Sequence, residues 1–158
     1  MIELLKVYGK IKDSVEIINS SASNGVLLLI LSCLLHLVVT PYFLLLEIFK
    51  GKFSFFGTLQ VLWVLGHIGR LLILVEPCQN CLDEYKITSS LISEMALLEF
   101  DKETKKLLKH FASQFFYAEI SFHACGFFAI NRNLLTSVCG AVTTYLVILF
   151  QFNGNGGN

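Results

Sequence analysis

Three long apolar runs, separated by polar breaks, organise the chain. Residues 26–46 are free of formal charge, residues 53–75 are interrupted only by Gln60, His67 and Arg70, and residues 134–152 are again uncharged. At the helical rise of about 1.5 Å per residue each run is long enough to cross a hydrocarbon core of about 30 Å. The pattern predicts an all-α fold: a multi-pass membrane helical bundle with three transmembrane spans. Glu47, Lys50, Gly51 and Lys52 end the first span, and Glu76-Pro77 is expected to stop the second. Pro41, inside the first, predicts a kink.

The segments between the runs read differently. In residues 1–25 the apolar positions Ile2, Leu5, Val7, Ile11, Val15 and Ile18 recur every three or four residues among Glu3, Lys6, Lys10, Lys12, Asp13 and Glu16. That spacing predicts an amphipathic helix lying against protein or membrane, and the interspersed charges exclude a signal peptide. Ser20, Ser21, Ser23, Asn24 and Gly25 then break the pattern. Residues 78–110 are strongly charged and belong in water, with Leu91, Met95 and Leu98 at helical spacing. Asp101 precedes a further helical pattern through Leu107, Leu108, Phe111 and Phe115. Residues 111–130 are apolar but carry Gln114, Glu119 and His123. A carboxylate at mid-bilayer costs about 2.5–3.5 kcal/mol, so this stretch is expected to be a helix packed on protein below the membrane.

Charge sets the orientation. With the N-terminus inside, Lys6, Lys10, Lys12, Arg70, Lys86, Lys102, Lys105, Lys106, Lys109 and Arg132 lie in the cytosol and only Lys50 and Lys52 outside, which satisfies the positive-inside rule. The expected organisation is a cytosolic amphipathic segment (1–25), two spans joined by a short extracellular loop (26–75), a cytosolic region (76–132), a last span (133–153) and an extracellular tail (154–158). Composition agrees with a chain solvated by lipid: 54% apolar, 15% charged and a mean hydropathy of +0.66. Twelve basic and twelve acidic residues cancel, so no nucleic-acid partner is expected.

Candidate chemistry is sparse. His36 among leucines reads either as a ligand contact or proton relay, or as a neutral ring paired across helices. Arg70, near the end of its span, can snorkel to the interface. Glu119 and His123, four apart on one helical face, suggest an acid–base or metal pair or a plain local ion pair, and no third ligand joins them. Cys78-x-x-Cys81 can hold a metal or cycle as a redox pair, but no second CxxC accompanies it. Cys33, Cys125 and Cys139 lie in apolar stretches as small hydrophobes. Gly154-x-Gly156-Gly157 has no strand before it and is not a nucleotide loop. No enzyme activity and no cofactor are expected.

The last span carries the most information. Ser137, Ala141, Thr144, Ile148 and Gln151 fall at spacings of four, three, four and three, tracing one stripe. Lipid cannot satisfy an amide such as that of Gln151, so the stripe suits a close helix seam or a water-filled pathway. A pathway needs several copies around an axis, with Ile148 and Phe152 as a dewetting constriction.

The residues here also carry a family likeness. Cys125-Gly126-Phe127-Phe128-Ala129-Ile130-Asn131-Arg132, then Leu134-Leu135-Thr136-Ser137, Gly140-Ala141, and Thr144-Tyr145, five apolar residues, and Gln151-Phe152 resemble the C-terminal signature of the insect gustatory receptors. The resemblance implies a seven-helix receptor with cytosolic N-terminus and extracellular C-terminus, assembled as a tetramer that is a tastant-gated non-selective cation channel in the cell membrane. It implies that residues 111–130 are a cytosolic anchor helix and that the last helix lines the pore, with gate positions Ile148, Gln151 and Phe152 and motif positions Thr144 and Tyr145. Gln60 and Trp63, in the outer half of the second span, are candidates for a tastant pocket wall or else for a plain interfacial or core role. Implied partners are a tastant, cations, lipid and further receptor subunits, homo- or heteromeric. Family members are more than twice this long, so the first four helices, and much of the pocket, are implied to fall outside these 158 residues, Met1 beginning a truncated product or an incomplete gene model. The alternative from another class is a small three-span scaffold that uses the stripe for packing and conducts nothing.

Overall fold

An apolar segment in lipid must satisfy its own backbone, and a helix does so without a partner strand. The computed structural model describes residues 2–49, 51, 55–98, 101–117 and 120–155. It contains α1 (Ile2–Ser21), α2 (Ser23–Phe49), α3 (Phe55–Met95), α4 (Lys102–Tyr117) and α5 (Arg132–Asn155), with a hairpin of β1 (His123–Ala124) and β2 (Phe128–Ala129) between α4 and α5. Ser23–Phe49, Phe55–Met95 and Arg132–Asn153 are long and apolar enough to cross a membrane. The three-span, all-helical bundle expected from the pattern is the architecture found.

α2 packs against α3 and α5, and α3 also against α5 and α4. The core joins Ile30, Cys33 and Leu37 of α2 to Leu71 and Val75 of α3 and to Leu134 and Val138 of α5. The end where α1, α4 and the hairpin gather is here termed the base, and the end at Gly51 the top. At the base α1 buries Tyr8 and Val15, whereas Val7, Ile11 and Ile18 stay exposed. The Tyr8 ring stacks on Tyr85 of α3 with centroids 6.4 Å apart. Burial first, and the neighbouring Tyr85 phenol second, push the Tyr8 phenol up to about 12, so it stays neutral at physiological pH. At the top, Gly51 takes a positive φ of 66° and its amide donates to the Ile48 carbonyl at 3.0 Å, a left-handed cap that closes α2.

Several boundaries differ from the sequence expectation. Pro77 does not stop the second span: α3 runs on for 41 residues to Met95. A proline inside a helix costs about 3 kcal/mol, and here Cys78, Cys81, Leu82 and Tyr85 beyond it pack on the core and Ile92 is buried, which offsets that loss. Pro41 likewise lies inside α2. Beyond the membrane-length part of α3, Leu91, Met95 and Leu98 are exposed and Ile92 is the inward residue. The serine-rich break at residues 20–25 shrinks to the single turn residue Ala22, whose amide donates to the Ile18 carbonyl and whose carbonyl accepts from Val26, both at 2.9 Å. α5 continues through the start of the polar tail to Asn155.

Residues 111–130 are not one helix. α4 ends at Tyr117, and from Ile120 the chain is extended and then folds back as the hairpin, pairing His123 with Ala129 and Ala124 with Phe128. The physical reason is at its turn: Cys125 and Gly126 have φ of 52° and 71°, and Phe127 donates to the Ala124 carbonyl at 3.0 Å. Two successive left-handed residues fit a type I′ hairpin turn and no right-handed helix. Glu119 lies outside the described residues, and His123 is in a strand with its Nε2 2.8 Å from Ser121 Oγ, so helical spacing does not bring that pair together. Cys125 is not simply a small hydrophobe, since its amide donates to Ser23 Oγ and its thiol to Asn24 Oδ1.

Ala at Gly126 meets open space but must take up a left-handed backbone, so Gly126→Ala should cost about 1–2 kcal/mol in equilibrium unfolding in detergent. Asp101 caps α4: hydrogen bonds from Thr104, its hydroxyl first and its amide next, hold the carboxyl below its ordinary value. A depressed carboxyl stabilises above its unfolded value and loses that contribution as pH falls through the folded one. Amide exchange in the first turn of α4, taken relative to the rate of an unstructured chain at the same pH, should therefore accelerate below about pH 4 in the parent chain. Asp101→Ala should accelerate it at neutral pH also, and Asp101→Asn, a capping residue without a titrating proton, should abolish the pH dependence.

Candidate functional site

α5 is attached to the protein along one face. Leu134 and Val138 are buried, and Leu135 and Val142 pack beside them. Near the top, Phe150 sits between two rings of α2, 5.6 Å from Tyr42 and 5.9 Å from Phe49. Successive helical residues are turned by about 100°, so fixing Phe150 inward sends its neighbours elsewhere. Gln151 is exposed, Phe152 is 77% exposed and Ile148 39% exposed, while Ser137 and Thr144 are exposed and Ala141 is half-buried. Tyr145 is exposed as well. The upper part of the predicted stripe, Thr144, Ile148 and Gln151, is therefore exposed, while at its root Ser137 and the half-buried Ala141 line a groove of about 460 Å³ shared with Ile30, Leu31 and Leu34 of α2.

The polar groups of that face are not equivalent. Ser137 Oγ donates to the Asn133 carbonyl at 2.9 Å and Thr144 Oγ1 to the Gly140 carbonyl at 2.8 Å, one turn back in the same helix. Hydroxyls satisfied in this way need neither water nor a partner. The Gln151 amide has two donors and an acceptor, more than its own helix backbone can absorb. It is the residue of the stripe that most requires a polar surrounding.

A second polar group lies between α2 and α3. Gln60, Trp63, His67 and Arg70 follow one face of α3 at spacings of three and four. His67, buried, stacks on His36 of α2 at 4.6 Å and an interplanar angle of 18°, and stands edge-on to Trp63 at 5.4 Å. His36 Nδ1–H donates to the Ser32 carbonyl at 2.8 Å, so its polar bond stays within α2 and its contacts across helices are the ring stack on His67 and a tilted approach to Trp63 at 6.2 Å. Among the described residues His67 Nδ1 and Gln60 Oε1 are buried without a hydrogen-bond partner. Trp63, His67, Arg70, Leu59, Leu62 and Gly66 line a groove of about 450 Å³, which places Trp63 in a cavity wall while Gln60 stands one turn above it. A ring paired across helices is one of the two sequence readings of His36; its partner, His67, is identified only by the apposition of α2 and α3. Cys78 and Cys81 are free, half-buried thiols that pack against the core beside Leu82 and Tyr85.

The base is held by side chains from the break between α1 and α2. Asn19 accepts from the His123 amide at 3.1 Å and donates to the Ser121 carbonyl at 2.8 Å, pairing with the hairpin as a short strand would. With Ser23 and Asn24 on Cys125, this fixes the hairpin against the start of α2 and so sets where α5 begins.

Three lipid-length helices, one attached by a single face and leaving a polar stripe outward, define a multi-pass helical membrane protein. The description of the 7tm chemosensory receptors matches residues 2–153. The chain belongs to that family, and within it to the insect gustatory receptors. It is 37% identical to the gustatory receptor for sugar taste 43a of Drosophila melanogaster over 90% of its own length and 34% of that protein. It is 28% identical to the putative gustatory receptor 28b of the same fly, over 84% of the chain and 30% of the relative. Against the gustatory receptor for bitter taste 66a, also of that fly, it is 31% identical over 43% of the chain and 13% of the relative. The chain spans about a third of the length of the first two.

The grip on Phe150 is testable by unfolding in detergent. Two aromatic contacts at about 0.5–1.5 kcal/mol each predict a loss of about 1–3 kcal/mol for Phe150→Ala. Phe152→Ala, at an exposed position, should stay within about 0.5 kcal/mol of the parent chain.

Proposed function

We propose that this chain is the C-terminal part of a gustatory receptor that acts as a tastant-gated, non-selective cation channel, with α5 lining a pore shared by four subunits. The observation that carries the reading is the outward face of α5: Gln151 exposed while the opposite face is anchored by Leu134, Val138 and Phe150. In a tetramer such a face can meet its own copies around an axis, where water satisfies Gln151 and the exposed Ile148 and Phe152 form a dewetting constriction. The subunits can be of one kind or mixed. Thr144 and Tyr145 belong to the same helix, one turn and more below the gate. Tastant binding would favour a state in which the four helices splay and Ile148 and Phe152 leave the axis.

Gln60 and Trp63 are proposed to contribute one wall of the tastant pocket, supported by the groove beside Trp63 and the unpartnered Gln60 oxygen. The names of the relatives, one a receptor for sugar taste and one for bitter taste, support a small-molecule tastant without choosing between those classes. The proposed place is the cell membrane, with the N-terminus cytosolic and the C-terminus extracellular, on the charge balance of ten basic residues against two. No catalysis and no cofactor belong to this reading.

The scaffold reading retains one favourable observation, since Ser137 and Thr144 satisfy their hydroxyls internally and so suit a dry helix seam. Recordings from a full-length receptor carrying this stretch separate the two. Gln151→Ala should change ion permeability, and Phe152→Ala should raise the current that flows without tastant. Parent-like permeability and gating in both variants would favour the scaffold.

A further inference from the structure

The strongest unassigned feature is a polar junction at the base, where the first residue of α5 meets the lower half of α3. Arg132 Nη2 lies 2.8 Å from Glu76 Oε2 and its Nε–H donates to Glu76 Oε1 at 3.2 Å, a two-pronged contact. Its Nη1 lies 3.6 Å from Asp83 Oδ2. The Arg132 backbone amide donates to Gln79 Oε1 at 3.1 Å, and Gln79 Nε2 donates to Asp83 Oδ1 at 2.8 Å. Glu76, Gln79 and Asp83 are spaced three and four apart, so one stripe of α3 supplies the whole socket.

This arrangement does two things at once. A helix begins with amides that no residue of the same helix can accept, and one of those on α5 is taken by a side chain of α3. The planar guanidinium also matches the Glu76 carboxylate in only a narrow range of orientations, which fixes direction as well as distance. All three partners are about half exposed, so the junction contributes orientation more than stability.

We infer that Arg132 is a positioning residue whose contacts with Glu76, Gln79 and Asp83 lock the root of α5 to α3, so that the two move as one body. α3 is unbroken from Trp63 to Asp83. A tilt at the Gln60–Trp63 level is therefore delivered along about 30 Å of continuous helix to the first turn of α5. The top of α5 is held instead by Tyr42 and Phe49 of α2. Motion of α3 relative to α2 then twists α5 between two grips, one on each helix. The gating consequence rests on the pore reading above, whereas the lock itself does not.

The test is hydrogen exchange of the first-turn amides of α5, read in the full chain in lipid nanodiscs. Arg132→Ala should speed exchange there at least tenfold with helix content unchanged. Arg132→Lys, which keeps the charge and loses the fork, should give an intermediate rate. Glu76→Arg combined with Arg132→Glu should return the rate to within about threefold of the parent, a rescue that a merely structural loss would not give. If Arg132→Ala does not fold, Arg132→Lys and Gln79→Ala carry the same comparison. Parent-like exchange in the folded variants, or singles that accelerate without rescue by the reversed pair, overturns the lock. A parallel recording from a full-length receptor carrying the same substitutions should show a shift of at least fivefold in the tastant concentration for half-maximal current, also reversed by the pair. Rescue of exchange in a receptor that passes no current in any form supports the lock and removes the pore reading. Normal currents with unchanged exchange remove the lock and leave the pore.

Discussion

A helix in hydrocarbon has already satisfied its own backbone, so side chains alone decide which way it faces. For α5 that decision is made on one side. Leu134 and Val138 are buried near the root, Phe150 is held by the rings of Tyr42 and Phe49 near the top, and Arg132 is held by Glu76 below. With the phase fixed at both ends, Ser137, Thr144, Ile148 and Gln151 have no freedom to turn inward. The outward polar stripe is thus a consequence of where the helix is gripped, and every functional reading of the chain depends on it.

The base converts that grip into a defined starting point. The hairpin replaces a flexible connection with a short, hydrogen-bonded element whose backbone is met by Asn19 and Ser23. Polar residues that look like helix breakers serve as its docking site. The rest of the surface is apolar over much of its extent, with Leu28, Leu35, Leu62, Ile73 and Phe152 all more than half exposed, as lipid or further protein requires.

Much of the bundle was legible one dimension at a time. The three apolar runs predicted the three membrane-length helices, Asp101 marked the start of α4, and the stripe from Ser137 to Gln151 shared a face as its spacing requires. What failed depended on contacts between distant residues. Pro77 reads as a stop, but packing of Cys81 and Tyr85 against the core carries the helix through it. The segment before α5 reads as helix because its apolar residues hide the left-handed pair Cys125-Gly126. A cross-helix partner for His36 is among the sequence readings, but that the partner is His67 follows only from the apposition of α2 and α3. The Arg132 junction joins residues about fifty apart, a relation that periodicity does not carry.

The central claim is that the Ser137–Gln151 face meets water while the Leu134–Val142 face meets protein. Single cysteines along α5 of a full-length receptor, in a Cys139→Ser background, can be tested for reaction with a membrane-impermeant thiol reagent. The account predicts fast modification at positions 137, 144, 148 and 151 and slow modification at 134, 138 and 142. Slow modification all round the helix, or a fast face centred on position 138, would contradict it.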